Sequence, residues 1–151
     1  MRAVKRWRYY CEFCPKAGNS GHHMKRHESG CTLNPDRVCK HCAKLGNKTV
    51  PMANLLALLP DPAQFVIHHP AEPGEFGYDA YDAPDDEALN SAVGAALPKL
   101  RELIDNCPTC ILAALRQKGI PVPAIDGFNY SEELKEFWAG YNDSRPESYP
   151  Y

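Results

Sequence analysis

Beyond residue 48 the apolar positions of this chain fall mostly at helical spacing. Met52, Leu55, Leu56 and Leu59 make a short stripe that Pro60 stops, and Gln64 to His68 reads as a short strand. From Asp86 the set Leu89, Val93, Ala96, Leu97, Leu100, Leu103 and Ile104 keeps one face through Pro98, which predicts a kink or a second helix there. A further helix is predicted from Pro108 in its first turn, through Ile111, Leu112 and Leu115, to a cap at Gly119 with Pro121 beyond. Ser131 predicts the N-cap of a last helix. Glu132 and Glu133 suit its positive end, and Leu134, Phe137, Trp138 and Tyr141 form the face it buries. Residues 143–151 read as a disordered tail.

Between these helices the pattern breaks down. Residues 70–87 hold Glu72, Glu75, Asp79, Asp82, Asp85, Asp86 and Glu87 without one Lys or Arg, interrupted by Pro73, Gly74, Gly77 and Pro84. That composition predicts a long exposed loop, with Phe76, Tyr78 and Tyr81 anchoring it to the body or to a partner. No repeat of solenoid length is visible.

Charge divides the chain at the same place as the pattern. Residues 1–48 carry eleven Lys/Arg against three Asp/Glu, a net of +8, and the rest carries six against sixteen, a net of -10. The overall charge of -2 hides this division. A basic head predicts an anionic partner, either nucleic acid or an acidic protein face; the alternative is that the acidic half docks on it.

A chain of 151 residues buries enough surface to fold without cross-links, so its seven cysteines need a separate reason. The first ten residues lack the apolar core of a secretion signal, and Val50 to Leu59 falls short of the roughly 20 residues of a membrane helix. These features predict a reducing compartment, cytoplasmic or nuclear, or a virion if the chain is phage-encoded, where disulfides are rare. Six cysteines form Cys-x-x-Cys pairs, at Cys11/Cys14, Cys39/Cys42 and Cys107/Cys110, and Cys31 stands alone. Such pairs are metal ligands in this setting.

The head reads Cys11-x2-Cys14-x12-His27-x3-Cys31. A Cys-x-x-Cys turn offers two thiolates to one ion, and a His and a Cys four residues apart on a helix share a face, completing a tetrahedron for Zn²⁺. His22 or His23 is an alternative ligand. With Tyr9 two residues before the first cysteine and Met24 three before His27, residues 9–31 resemble the ββα zinc finger in its CCHC variant. Gly18 stands where the family places a core aromatic, so the small core must borrow Phe13 or Tyr10 or lean on the rest of the protein. The resemblance implies that Ser20, His23 and Arg26 face bases in a DNA groove. Lys16, Lys25, Arg6 and Arg8, with Arg2 and Lys5, would then meet phosphates.

Cys39, Cys42, Cys107 and Cys110 remain, four thiolates for a second closed site that ties the head to the helical half. A rival pairing joins Cys11, Cys14, Cys39 and Cys42 in one site, and His27, Cys31, Cys107 and Cys110 in the other. Two Zn²⁺ per chain are expected, although cysteine sets of this kind also hold iron–sulfur clusters. Cys107-Pro108-Thr109-Cys110 at a helix start also resembles a thioredoxin-type redox pair, but no βαβ context precedes it. His22, His23 and His27 between cysteine pairs resemble, more weakly, the zinc-stapled HNH nucleases. His68 and His69 read as a surface or packing pair. The expected fold is an α-rich small α+β protein: a ββα zinc-finger-like module (1–48) joined by the four-cysteine site to a helical part (49–142) with an acidic loop. The expected function is non-catalytic nucleic-acid binding, or else a zinc-stabilised protein-interaction or assembly adaptor, as in a phage or virion.

Overall fold

The computed structural model describes residues 7–74 and 76–144. Arg6, the other basic residues before it, and residues 145–151 of the expected 143–151 tail lie outside the described residues, so Arg6's role as a phosphate contact is not addressed by the fold, while Asp143, expected in that tail, is helical. Among the described residues six α-helices and two small two-stranded sheets make an α-rich α+β protein. No described helix is long and apolar enough to cross a membrane.

The head begins with two-residue strands, β1 (Tyr9–Tyr10) and β2 (Ala17–Gly18), paired antiparallel with Tyr9 opposite Gly18 and Tyr10 opposite Ala17. Helix α1 (Gly21–Glu28) follows, and Ser20 caps it: the Ser20 hydroxyl accepts from the His23 N–H at 3.4 Å. That satisfies one of the N–H groups a helix start leaves unpaired. Gly21 lets the Tyr9 ring lie against the helix, since a Cβ there would sit 3.1 Å from the ring. Met24 is buried with Cys11 and Cys31, and Phe13, Cys14 and Leu33 pack around them. Phe13 therefore supplies the aromatic that Gly18 cannot, whereas Tyr10 stays exposed.

Helix α2 (Lys40–Leu45) ends on Gly46, whose φ of 70° is a left-handed cap. Helix α3 (Met52–Leu58) buries Leu55 as the stripe predicted. Residues 70–87 are not one loop. Strand β3 (Val66–His69) pairs antiparallel with β4 (Tyr81–Pro84), and His69 stands opposite Tyr81. The two rings stack at 4.7 Å, and His68 Nδ1 lies 2.7 Å from the Asp82 carboxylate, so both histidines serve the pairing. Acidic composition concealed β4 because its partner strand supplies the stacking and the hydrogen bond to Asp82.

Helix α4 (Asp86–Leu103) runs unbroken through Pro98. Leu89, Val93, Leu97 and Leu100 are all buried on one face, and Pro98 sits on the exposed face. That packing outweighs the cost of about 3 kcal/mol that an internal proline imposes. Asp105 and Asn106 then take φ of 50° and 55°, which turns the chain sharply into α5 (Pro108–Gln117). Gly119 follows α5 with φ 78°. Helix α6 (Tyr130–Asp143) starts earlier than expected, because the Asn129 side chain accepts from the N–H groups of Ser131 and Glu132 and is the true cap. Its aromatic face is half-buried, not buried: Phe137 and Trp138 cover His41 of α2 at centroid distances of 5.2 and 5.1 Å. Lys44 lies 4.8 Å above the Trp138 ring.

The main core joins α3, α4 and α5 with Ile120, Ile125 and Phe128, and it includes Cys39, Cys42, Cys107 and Cys110. Arg101 reaches from α4 to the Glu133 carboxylate with two bonds of 2.7 and 2.8 Å and fixes α6 against this core.

Candidate metal centres

Two groups of ligand atoms converge. Cys11, Cys14, His27 and Cys31 form one, Cys39, Cys42, Cys107 and Cys110 the other, and within each group all ligand atoms lie within 4.8 Å of one another. The rival pairing is not the one the chain adopts. His22 and His23 belong to neither group, and the two groups together take in all seven cysteines.

In the first group the β1–β2 turn carries Cys11 and Cys14, α1 carries His27 in its last turn, and Cys31 lies just past the helix end. Cys14 Sγ is 3.3 Å from His27 Nε2. A tetrahedron with bonds of about 2.3 Å to sulfur and about 2.05 Å to nitrogen has an S···N edge of about 3.5 Å, so the donors already stand near ligating positions. The Phe13 N–H donates to Cys11 Sγ at 3.4 Å. Cys14 is held below the usual thiol range, first by the Lys16 backbone N–H. Burial lowers His27, with the Lys16 charge adding to it, which favours the neutral ring that ligation needs. Burial pushes the Cys31 thiol up.

The second group lies between elements far apart in sequence. Cys39 caps α2, Cys42 lies within it, Cys107 caps α5 and Cys110 lies in its first turn. Cys39 Sγ is 3.7 Å from Cys107 Sγ, and Cys42 Sγ is 3.6 Å from Cys110 Sγ. The S···S edge of a tetrahedron with bonds of about 2.3 Å is about 3.8 Å, which matches. Spacings this short suit one ion, whereas a cluster of several metal atoms holds its outer thiolates farther apart.

Charge in this group shows what a bound cation would offset. Cys39 is held well below the usual thiol range, chiefly by the Cys107 thiol and then the Cys110 thiol, which donate to it. The other three are raised. Burial and repulsion from Cys110 and Cys39 push Cys42 up to about 12. For Cys107 the Cys110 thiol favours ionisation, but donation to Cys39 and burial prevail and push it up to about 12. Cys110 rises through its donations to Cys107 and Cys39, then burial. Four thiolates this close together would call for a cation among them.

Compared with known proteins, the chain matches no family model, no curated protein and no solved structure. The chemistry of its sites therefore rests on their geometry.

Groups around the second site hold it in place, and most of them were not legible beforehand. Arg37 Nη1 donates to Cys110 Sγ at 3.7 Å, while its buried Nε has no partner among the described residues. A guanidinium beside a thiolate cluster offsets the negative charge left after one dication binds. The Thr109 hydroxyl bonds to His41 Nδ1, joining α2 to α5. Gln117 Nε2 donates to the backbone oxygens of Thr32 and Asn34, each at 2.9 Å. A basic residue two positions before Cys39 was the one available signal for Arg37. The Thr109–His41 and Gln117 contacts are non-local and left no trace in the sequence.

The residues expected to meet nucleic acid are mostly on the surface. Arg8, Lys16, His23, Lys25 and Arg26 are exposed, whereas the Ser20 hydroxyl is spent on capping α1. One ion pair, Arg101 with Glu133, and one His–carboxylate contact, His68 with Asp82, occur among the described residues, and neither involves the head. The acidic half does not neutralise the basic one through ion pairs among those residues. Head and body are joined instead by the cysteine site, the aromatic cover of α6 and hydrogen bonds, among them those of Arg37 to Cys110, Arg116 to Thr32 and Gln117 to Thr32 and Asn34.

Proposed function

We propose that the protein is a non-catalytic, zinc-stabilised nucleic-acid-binding module that works through its basic N-terminal part. The carrying observation is the set of exposed cations, Arg8, Lys16, Lys25 and Arg26, left without carboxylate partners among the described residues on a head of net charge +8. Exposed charge mostly of one sign attracts a polyanion such as a phosphate backbone. Strand, strand and helix in that order, with ligands on the hairpin and the helix, support reading residues 9–31 as a CCHC finger. Cys11, Cys14, His27 and Cys31 hold one Zn²⁺ in this reading, and Cys39, Cys42, Cys107 and Cys110 a second. Thiolate donors at single-ion spacing favour zinc over harder cations such as magnesium or calcium.

The test is a titration of random-sequence DNA and RNA at two salt concentrations. Contact with about five phosphates gives a slope of log K against log salt near -4. Replacing Lys25 and Arg26 with Ala weakens binding at every sequence, and Arg26→Ala alone relaxes any base preference. No binding to either polymer at about 50 mM salt refutes the reading.

One observation favours a second reading, a protein-interaction adaptor. The β3–β4 ribbon exposes Val66, Ile67 and Tyr81, and in the connection between its strands Tyr78 is exposed and Phe76 is 96% exposed. An isolated two-stranded ribbon with apolar residues outward is a surface that a protein partner can cover. Under this reading, changes at Phe76 and Tyr81 abolish partner binding, and nucleic acid is not retained at about 150 mM salt.

A further inference from the structure

We infer that the exposed rings at the start of the β1–β2 hairpin, Tyr10 on the strand and Trp7 just before it, stack on the unpaired bases of a single-stranded nucleic acid; this rests on the nucleic-acid reading above and names its ligand. Trp7 is 79% exposed and Tyr10 67%. Neither has a ring partner among the described residues. Their neighbour Tyr9 differs, because its ring lies against α1 at Gly21. Successive strand side chains point to opposite faces, so Tyr10 is directed away from the helix. Across the ladder it faces Ala17, whose methyl group is too small to cover a phenol ring.

Cations flank these rings. Arg8 separates Trp7 from Tyr9, and Lys16 precedes Ala17 on the return strand; both are exposed. Flat rings set among cations match a strand whose phosphates track the charges while its bases stack on the rings. A duplex cannot use the rings in this way, since its base faces are already stacked on one another. The exposed aromatics of the β3–β4 ribbon stand among carboxylates, which repel a polyanion, so they do not compete for this ligand.

The experiment uses the full-length zinc-loaded protein and fluorescence anisotropy of labelled 12-mers of thymidine and of uridine, against a duplex of the same length. Expected is single-strand binding at least about tenfold tighter than duplex binding at moderate salt, and a loss of about tenfold on Tyr10→Ala or Trp7→Ala. Tyr10→Phe, which keeps the ring, retains affinity. Single strands also quench the Trp7 emission, and the quench vanishes in Trp7→Phe, where Trp138 alone emits. Zinc content equal to the parent's confirms that each variant is folded. Duplex binding as tight as single-strand binding, with Tyr10→Ala silent, overturns the stacking inference and leaves the nucleic-acid reading standing. Absence of binding to all three probes overturns both.

Discussion

Replacing Cys110 with Ser tests the second metal site most directly, because that residue holds α5 to α2 across 68 positions of sequence. A serine hydroxyl is a far weaker ligand than a thiolate, so the variant is expected to bind one Zn²⁺ where the parent binds two. Losing a closure of about 65 residues removes roughly 4 kcal/mol of chain-entropy stabilisation, on the loop-length relation that applies to cross-links. Whole domains are stable by about 5–15 kcal/mol, so this is a large share of the total. For a part of roughly 100 residues the melting temperature should fall by on the order of 15–30 °C. The assay pairs metal analysis with thermal unfolding followed by circular dichroism, and the parent treated with a chelator serves as a control. A variant that holds one ion and melts within about 3 °C of the parent refutes the idea that the second site closes the fold. Release of both ions together would instead show that the two sites are not separate.

Other outcomes follow from the same contacts. His27→Ala should weaken the first ion alone and leave the helical core folded, which urea unfolding with metal analysis would show; loss of the core transition contradicts it. Ile111 is fully buried in the main core, so Ile111→Ala should cost about 2–5 kcal/mol in denaturant unfolding, and a cost under about 1 kcal/mol means the site can collapse around the change. In a double-mutant cycle, Arg101→Met with Glu133→Gln should give a coupling of about 1–3 kcal/mol, since the bidentate pair is partly buried; additive single effects would refute it. Metal entry at the second site displaces the protons of Cys42, Cys107 and Cys110, whose folded pKa values are raised, while Cys39 is already ionised. Raised values stabilise the metal-free fold below the ordinary thiol pKa, and that contribution is lost as pH climbs through about 12. The loaded site behaves oppositely and fails in acid. Calorimetry of zinc binding in several buffers near pH 7 should therefore count about three protons released there, and a count near zero contradicts the charge argument.

How much of this was legible in the sequence depends on how far apart the interacting residues lie. Ligand types and their short spacing, the stripe of α4 and the start and end of α5 are local properties, written in turn chemistry and helical period, and these were readable. Which cysteine pair meets which was open, because both pairings satisfy the same ligand count; packing of α5 against α3 and the reach of α2 decided it. Strand β4 looks like loop in the sequence because an acidic segment becomes a strand only when β3 offers the ladder, the His68 bond to Asp82 and the stack on Tyr81. Ser131 is equally able to cap α6, but the turn after Phe128 puts the Asn129 side chain over the open N–H groups first. The aromatic residues of α6 showed the right period for burial. Tertiary structure spends them on His41 and Lys44, since the core they were expected to enter is already filled by Leu100, Ile111, Leu115 and Phe128. Sequence alone determined the chemistry available at each position, while long-range packing chose the partners, because contact energies between distant residues exist only once the chain has brought them together.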